Sequence, residues 1–261
     1  MNTRQIDEMT MVREFNSIGE FVEFITNTPL NKKYEPDSHE TGKSAKNWTL
    51  TSTYDEALNL LLKGWTNASE KMTKALSIAP KPAMVTRQRS VYSVAGHSAS
   101  VPRYLQGVPT NMISSAPDRR KQPVVTINHS ITYASIWKAE DILNEGIKAL
   151  QVVQAIEASN RNVKLNIVCI ARDGATGLKR GFKITIKQPG ERLNISKMAF
   201  PLAHPSMIRR IFFRYMEVEP DMPKQFPAYG KPCSADCEKF YPNEFFIPER
   251  VDVEKIFSEI S

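Results

Sequence analysis

The stretch from Val124 to Lys187 constrains this chain most. KLNIVCIA (164–171) is an apolar run, the mark of a strand buried on both faces of a sheet, because a strand with one wet face alternates. VVTINHSIT (124–132) before it is β-branched and bounded by Pro123, which predicts a second strand. Between them, AEDILNEGIKALQVVQAIEASN (139–160) places Ile142, Gly146, Leu150 and Val153 at helical spacing. GFKITIK (181–187) alternates and pairs most simply with the strand before it through the RDGATGLKR turn. A helix over 205–217, a strand at EFFIPE (244–249) and a final helix at VDVEKIFSEI (251–260) complete the pattern. Strand, helix, strand, strand, helix, strand, helix predicts an α/β fold with a mixed sheet flanked by helices.

The first half reads differently. Residues 15–28 carry Ile18, Phe21, Val22 and Ile25 at helical spacing, and a longer helix is predicted over 54–77, opened by the capping pair Thr53 and Glu56. Residues 78–123 are punctuated by Pro80, Pro82, Gly96, Pro102, Gly107, Pro109, Pro117 and Pro123. The expected division is therefore a mostly helical and irregular arm over 1–123, wrapping an α/β domain over 124–261. A chain of 261 residues can enclose one large core. No apolar run approaches the roughly 20 residues of a membrane span, and the first thirty residues lack the order of a signal peptide. Three cysteines, Cys169, Cys233 and Cys237, suit a reducing compartment. The expected location is the cytoplasm, with no membrane partner.

Net charge is +7, from 35 basic and 28 acidic residues, and it is unevenly spread. From Lys81 to Lys121 seven basic residues face one acidic residue; from Lys164 to Lys197 eight face two. From Met216 onward the sign reverses, with ten acidic residues and five basic. Arg87, Arg89, Arg119, Arg120, Lys179, Arg180 and Lys183 are the candidates for phosphate contacts if nucleic acid is a partner. Neither stretch interleaves its charges with aromatics as single-strand binders do.

Catalytic patterns are thin. Gly42-Lys43-Ser44 lacks the earlier glycine and the leading strand of a phosphate-binding loop. Cys233 and Cys237 have no second ligand pair nearby for zinc. His39, His97, His129 and His204 are scattered, with no nucleophile elbow. The expectation is a non-enzyme with no cofactor.

Ligands of open α/β sheets bind at the carboxyl ends of strands, and Asn128-His129-Ser130-Ile131-Thr132 ends the first strand of this unit. Its N-x-S-x-T resembles the D-x-S-x-S of the metal-ion-dependent adhesion site in von Willebrand factor A-type domains. That resemblance implies oxygen ligands from Asn128, Ser130 and Thr132, with Glu249 the nearest acid and Mg²⁺ the ion. Asn128 stands where the aspartate would be, and an amide is the poorer ligand for a hard cation. The expectation is a degenerate site, with His129 on the opposite face of the strand.

Gly96, Val101, Pro102, Leu105, Gly107, Pro109 and Met112, followed by the strand, helix and strand to Arg172, resemble a family of bacteriophage- and prophage-encoded proteins of unknown function with a von Willebrand A-like sheet. The resemblance implies a phage source and a fold, and brings no activity. The glycines and prolines of this segment read as turns that dock Tyr104, Leu105 and Met112 against the sheet. The functional expectation is a protein-interaction module acting on a host or phage protein in the cytoplasm of the infected cell. Arg103, Tyr104, Ser130 and Thr132 are its candidate contacts, and a nucleic-acid-binding accessory role in phage replication is the alternative.

Overall fold

The computed structural model describes residues 1–31, 37–78, 88–117, 123–174, 176–220, 231–232 and 240–260. Two strands, β1 (Asn2–Asp7) and β2 (Thr10–Phe15), come first. Helix α1 (Ile18–Asn27) follows, started by Ser17, whose hydroxyl accepts the Glu20 N–H. After α2 (Lys43–Thr49), the expected helix over 54–77 is two helices, α3 (Tyr54–Lys63) and α4 (Thr66–Ile78). Thr53 caps α3 as the sequence predicts, accepting the Glu56 N–H at 3.1 Å. The break falls at Gly64, with φ +99°. A Cβ there would meet the Ser196 carbonyl oxygen at 2.9 Å, and Trp65 N–H donates to that same oxygen at 2.9 Å. The apolar stripe ran through the break in sequence; a docking contact 130 residues away decides it.

Next come β3 (Gln88–Ser93), β4 (Ser98–Ala99), α5 (Val101–Leu105) and β5 (Met112–Pro117). These strands form a separate three-stranded sheet in the order β3-β5-β4. The chain then enters its α/β pattern: β6 (Val124–Ser130), α6 (Ala139–Ala158), β7 (Asn162–Arg172), β8 (Lys179–Lys187) and α7 (Ile195–Ala203). A π-helical turn at Met207–Phe212 runs into α8 (Phe213–Val218). The two-residue β9 (Lys231–Pro232), β10 (Phe245–Ile247) and α9 (Val253–Ile260) end it.

The main sheet runs β1-β2-β8-β7-β6-β10, with β9 added beside β7. β7 lies parallel to β6 and antiparallel to β8, and β10 is parallel to β6. The mixed sheet flanked by helices is the predicted class. Strand order reverses about β6, with β7 and β8 on one side and β10 on the other.

The helical and irregular arm expected over 1–123 is corrected at two places: residues 88–117 form the sheet β3-β5-β4, and the first fifteen residues are strands of the main sheet, β2 pairing parallel with β8 from Thr10–Lys179 to Phe15–Ile184. Thr10-Met-Val-Arg-Glu-Phe15 hides this from a pattern reading because both of its faces are covered, with Arg13 buried. That charge is matched by Glu219, which accepts from Arg13 Nε at 2.8 Å and from Nη2.

Helices α1, α3, α4 and α6 to α9 share one apolar cluster with Phe15, Ile127, Leu165, Ile167, Phe182 and Ile184 from one face of the sheet. The other face contributes Val12, Val168 and Ile170, covered among the described residues by Phe240 and Tyr241. Gly146 allows a close helix crossing: a Cβ there would lie 2.6 Å from the Ala203 Cβ, so α6 reaches α7 here without a side chain between them.

Candidate functional site

Asn128 is not at the strand end. It lies inside β6, opposite Asn166 of β7 and Phe246 of β10, and is fully buried. Its Oδ1 accepts from Asn166 Nδ2 at 2.9 Å and its Nδ2 donates to Glu244 Oε2 at 2.6 Å. Thr185 Oγ1 donates to Asn166 Oδ1 at 2.8 Å. Lys183 Nζ donates to the same Glu244 oxygen at 2.6 Å and sits 3.8 Å from the Tyr241 ring centroid. Tyr241 in turn donates to Glu14 Oε1 at 2.9 Å. Polar groups from β2, β8, β7 and β6 thus cross the second face of the sheet, and each hydrogen bond covers part of the desolvation of its neighbours. Burial works to raise the Glu244 carboxyl, but the bonds from Lys183 and Asn128 outweigh it and hold its pKa below the ordinary value. Burial lowers Lys183 even with Glu244 beside it.

This donor set does not fit a divalent cation. Both polar atoms of Asn128 are committed, and the acid that reaches it is Glu244, already matched by Lys183, rather than Glu249. Ser130 Oγ donates to Thr132 Oγ1 at 3.1 Å, and that oxygen also accepts the Ile170 N–H at 3.4 Å, so both hydroxyls serve the strand itself. Both are buried, which removes them as exposed contacts. Glu249 lies past β10, with one buried carboxylate oxygen that no hydrogen bond reaches among the described residues. Burial, reinforced by Glu145 and Glu249, pushes the Tyr133 hydroxyl well above the phenol range. His129 sits on the face opposite Asn128, its Nδ1 3.3 Å from the Ile247 carbonyl oxygen, and burial lowers its pKa to about 4.

Sequence reasoning passed over the π-helical turn, where Arg209 and Arg210 are both buried. Arg209 donates to the carbonyls of Trp48 at 2.5 Å and Trp137 at 2.7 Å, and burial lowers its pKa to about 10. Arg210 Nε donates to Thr51 Oγ1 at 2.9 Å, and its terminal nitrogens donate to the carbonyls of Ser38, Glu40 and Thr51 at 2.9 to 3.1 Å. They fasten the loop after β6 to α2 and its flanks. Beside that loop, Trp137, Asp141, Glu145, Lys148 and Arg250 line an open cleft of about 840 Å³.

Among the described basic candidates, Lys179, Arg180 and Lys183 are each tied to their own local partners. Lys183 belongs to the buried network. Arg180 donates to the carbonyls of Met9 and Lys179, and Lys179 Nζ lies 6.0 Å from the Phe240 ring centroid. Arg89 lies in β3; Arg87, Arg119 and Arg120, like Cys233 and Cys237, fall outside the described residues.

The segment 88–117 holds the remaining candidates, and here the docking expectation is overturned. Tyr104 and Leu105 do not pack on the main sheet: with Tyr92, Val94 and Val101 they are between 54% and 78% exposed. Among the described side chains of this segment, none belongs to either core cluster. Pro102 at the head of α5 presets the backbone of that short helix. Among the described residues β3, β4 and β5 pair with one another and not with the main sheet, and the side chains of α5 point outward. Arg103 is fixed between them: Nε donates to the Thr110 carbonyl at 2.9 Å, Nη2 to Thr110 Oγ1 at 3.0 Å, and the guanidinium lies over the Tyr92 ring at 4.2 Å.

A family model described as Domain of unknown function (DUF7192) matches residues 3–260. The chain belongs to that family. The match takes in β1 at one end and α9 at the other, so the DUF7192 unit includes both the main sheet and the exposed segment. No curated protein and no solved structure matches this DUF7192 chain.

Proposed function

We propose that this chain is a non-enzymatic protein-interaction module, made by a phage and acting on a host or phage protein in the infected cell, with the surface of residues 88–117 as its contact. One observation carries the reading: five large apolar side chains, Tyr92 in β3, Val94 just after it and Val101, Tyr104 and Leu105 in α5, are exposed in a segment none of whose described residues joins the core. Exposed apolar groups clustered in one place mark interaction surfaces, since a chain has a stable core elsewhere to hide them in. Tyrosine and arginine, here Tyr92, Tyr104 and Arg103, are the residue types that dominate binding energy at such surfaces.

The finer reading of the fold is likewise a proposal: residues 124–261 form a von Willebrand A-like sheet whose adhesion position has been rebuilt as a structural network. The reversal of strand order about β6 supports it. The crowding of Asn128 by Asn166 and Glu244 supports the rebuilding.

Affinity capture of the full chain from infected cells, with and without nuclease, tests the function. The expected result is a protein partner that survives nuclease and is lost from a Tyr104→Ser, Leu105→Ser double variant. Loss of every partner on nuclease treatment would favour the nucleic-acid alternative.

A further inference from the structure

The surface of residues 88–117 also carries information about what it binds, and the inference that follows rests on reading it as the contact. The segment contains Arg89, Arg103 and His97 and not one aspartate or glutamate. Its charge is therefore of one sign, set among apolar side chains.

Arg103 is the fixed point. Two of its nitrogens are held by Thr110 and its plane rests on Tyr92, while no carboxylate lies within ion-pairing distance among the described residues. A guanidinium already locked in place loses little freedom when it takes an anion, and its geometry suits a carboxylate.

The backbone beside it is also open. In the order β3-β5-β4, β3 has a neighbour on one side only among the described residues. Its far edge, Gln88 to Ser93, presents alternate N–H and C=O groups to an added strand. Added strands lie about 4.8 Å away, with side chains of opposed residues on the same face. A residue set opposite Tyr92 would therefore rise on the face where Arg103 covers the Tyr92 ring. An acid at that position meets the guanidinium, and apolar residues two positions to either side, which share its face, reach toward Val101, Tyr104 and Leu105 of α5.

We propose that the partner is an extended protein segment in which an acid has apolar residues at the second position on either side, which adds to the edge of β3 away from β5 and places its carboxylate on Arg103. Charge decides this occupant over a second copy of the same surface, which would bring the same arginines and no acid.

Selection of displayed random twelve-residue peptides on the full chain is the test. The expected peptides carry Asp or Glu with Val, Ile or Tyr two positions before and after it. Their affinity falls about tenfold in Arg103→Gln, as for loss of a charge-assisted hydrogen bond, and falls less in Arg103→Lys. That comparison separates loss of charge from collapse of the segment, and an unchanged melting temperature of both variants checks it independently. Methylation of alternate backbone nitrogens in the peptide should abolish binding, and raised salt should weaken it. Neutral or basic peptides that still require Tyr104 and Leu105 would overturn the acidic partner and leave the contact surface standing. Binding that survives backbone methylation would overturn the strand addition. Peptides indifferent to Tyr104→Ser and Leu105→Ser, or no peptides at all, would overturn the surface and this inference together.

Discussion

Residues 88–117 and the helical face of the main sheet use the same kinds of side chain in opposite ways. Phe21, Phe182, Phe212 and Tyr215 stack in one buried group, with ring centroids 5.0 to 6.3 Å apart. Tyr92, Val94, Val101, Tyr104 and Leu105 are about as apolar and stand in water. The difference lies in what covers them. Among the described residues, seven helices close over one face of the main sheet, whereas the three-stranded sheet has the five-residue α5 beside it. The same burial energy per unit of apolar area is already spent inside the body and still available on the segment.

Stability measurements sharpen that contrast. Phe182→Ala, in the body, is expected to cost about 3–5 kcal/mol, read as a large fall in melting temperature. A loss under about 1 kcal/mol would mean that the aromatic group is loosely packed.

Acid should strike the body next. His129 and His204 are buried, and desolvation lowers their pKa values to about 4 and about 3 from the ordinary 6.5. The unfolded chain therefore binds protons first: the stability these neutral rings allow is fully present above pH 6.5 and drains as pH falls from there toward 4. At about 1.4 kcal/mol per pKa unit, His129 alone accounts for on the order of 3 kcal/mol. Denaturant unfolding between pH 7 and 4.5 should show the slope, and His129→Phe should flatten it. An unchanged slope would remove His129 as its source.

Gly64→Ala comes third, at about 1–3 kcal/mol, because alanine resists φ +99° and its Cβ would press on the Ser196 backbone. A neutral or stabilising result would mean that α3 and α4 can fuse into the single helix the sequence suggests. Smallest of all is Leu105→Ser, expected to move stability by no more than about 0.5 kcal/mol, while removing partner capture. A loss comparable to that of Phe182→Ala would abolish the distinction between the two regions.

Legibility in the sequence followed the length of each signal. The run at 164–171 and the helix over 139–160 could be read because a buried strand and a long amphipathic helix carry many concordant residues, and both are present as β7 and α6. β2 could not, since Arg13 looks exposed until Glu219, over two hundred residues away, is brought to it. For residues 88–117, the exposure of Tyr104 and Leu105 is not legible, because glycine and proline set the same turns whether the apolar side chains between them dock or face water. Asn128 was legible as unusual and not as a network member. Its partners come from three separate stretches of chain: Asn166 from β7, Glu244 from the bend before β10 and, through Asn166, Thr185 from β8.

By itself the sequence determined the α/β class, the central apolar strand with its helix, the Thr53 cap and the absence of acid from residues 88–117. These are local properties, set by period, propensity and composition along continuous stretches. The tertiary structure alone decided where the long helix breaks, which charges are buried together and which apolar residues remain in water. Each of those depends on what a distant segment brings within a few ångströms, as Ser196 does to Gly64, Glu219 to Arg13 and Glu244 to Asn128.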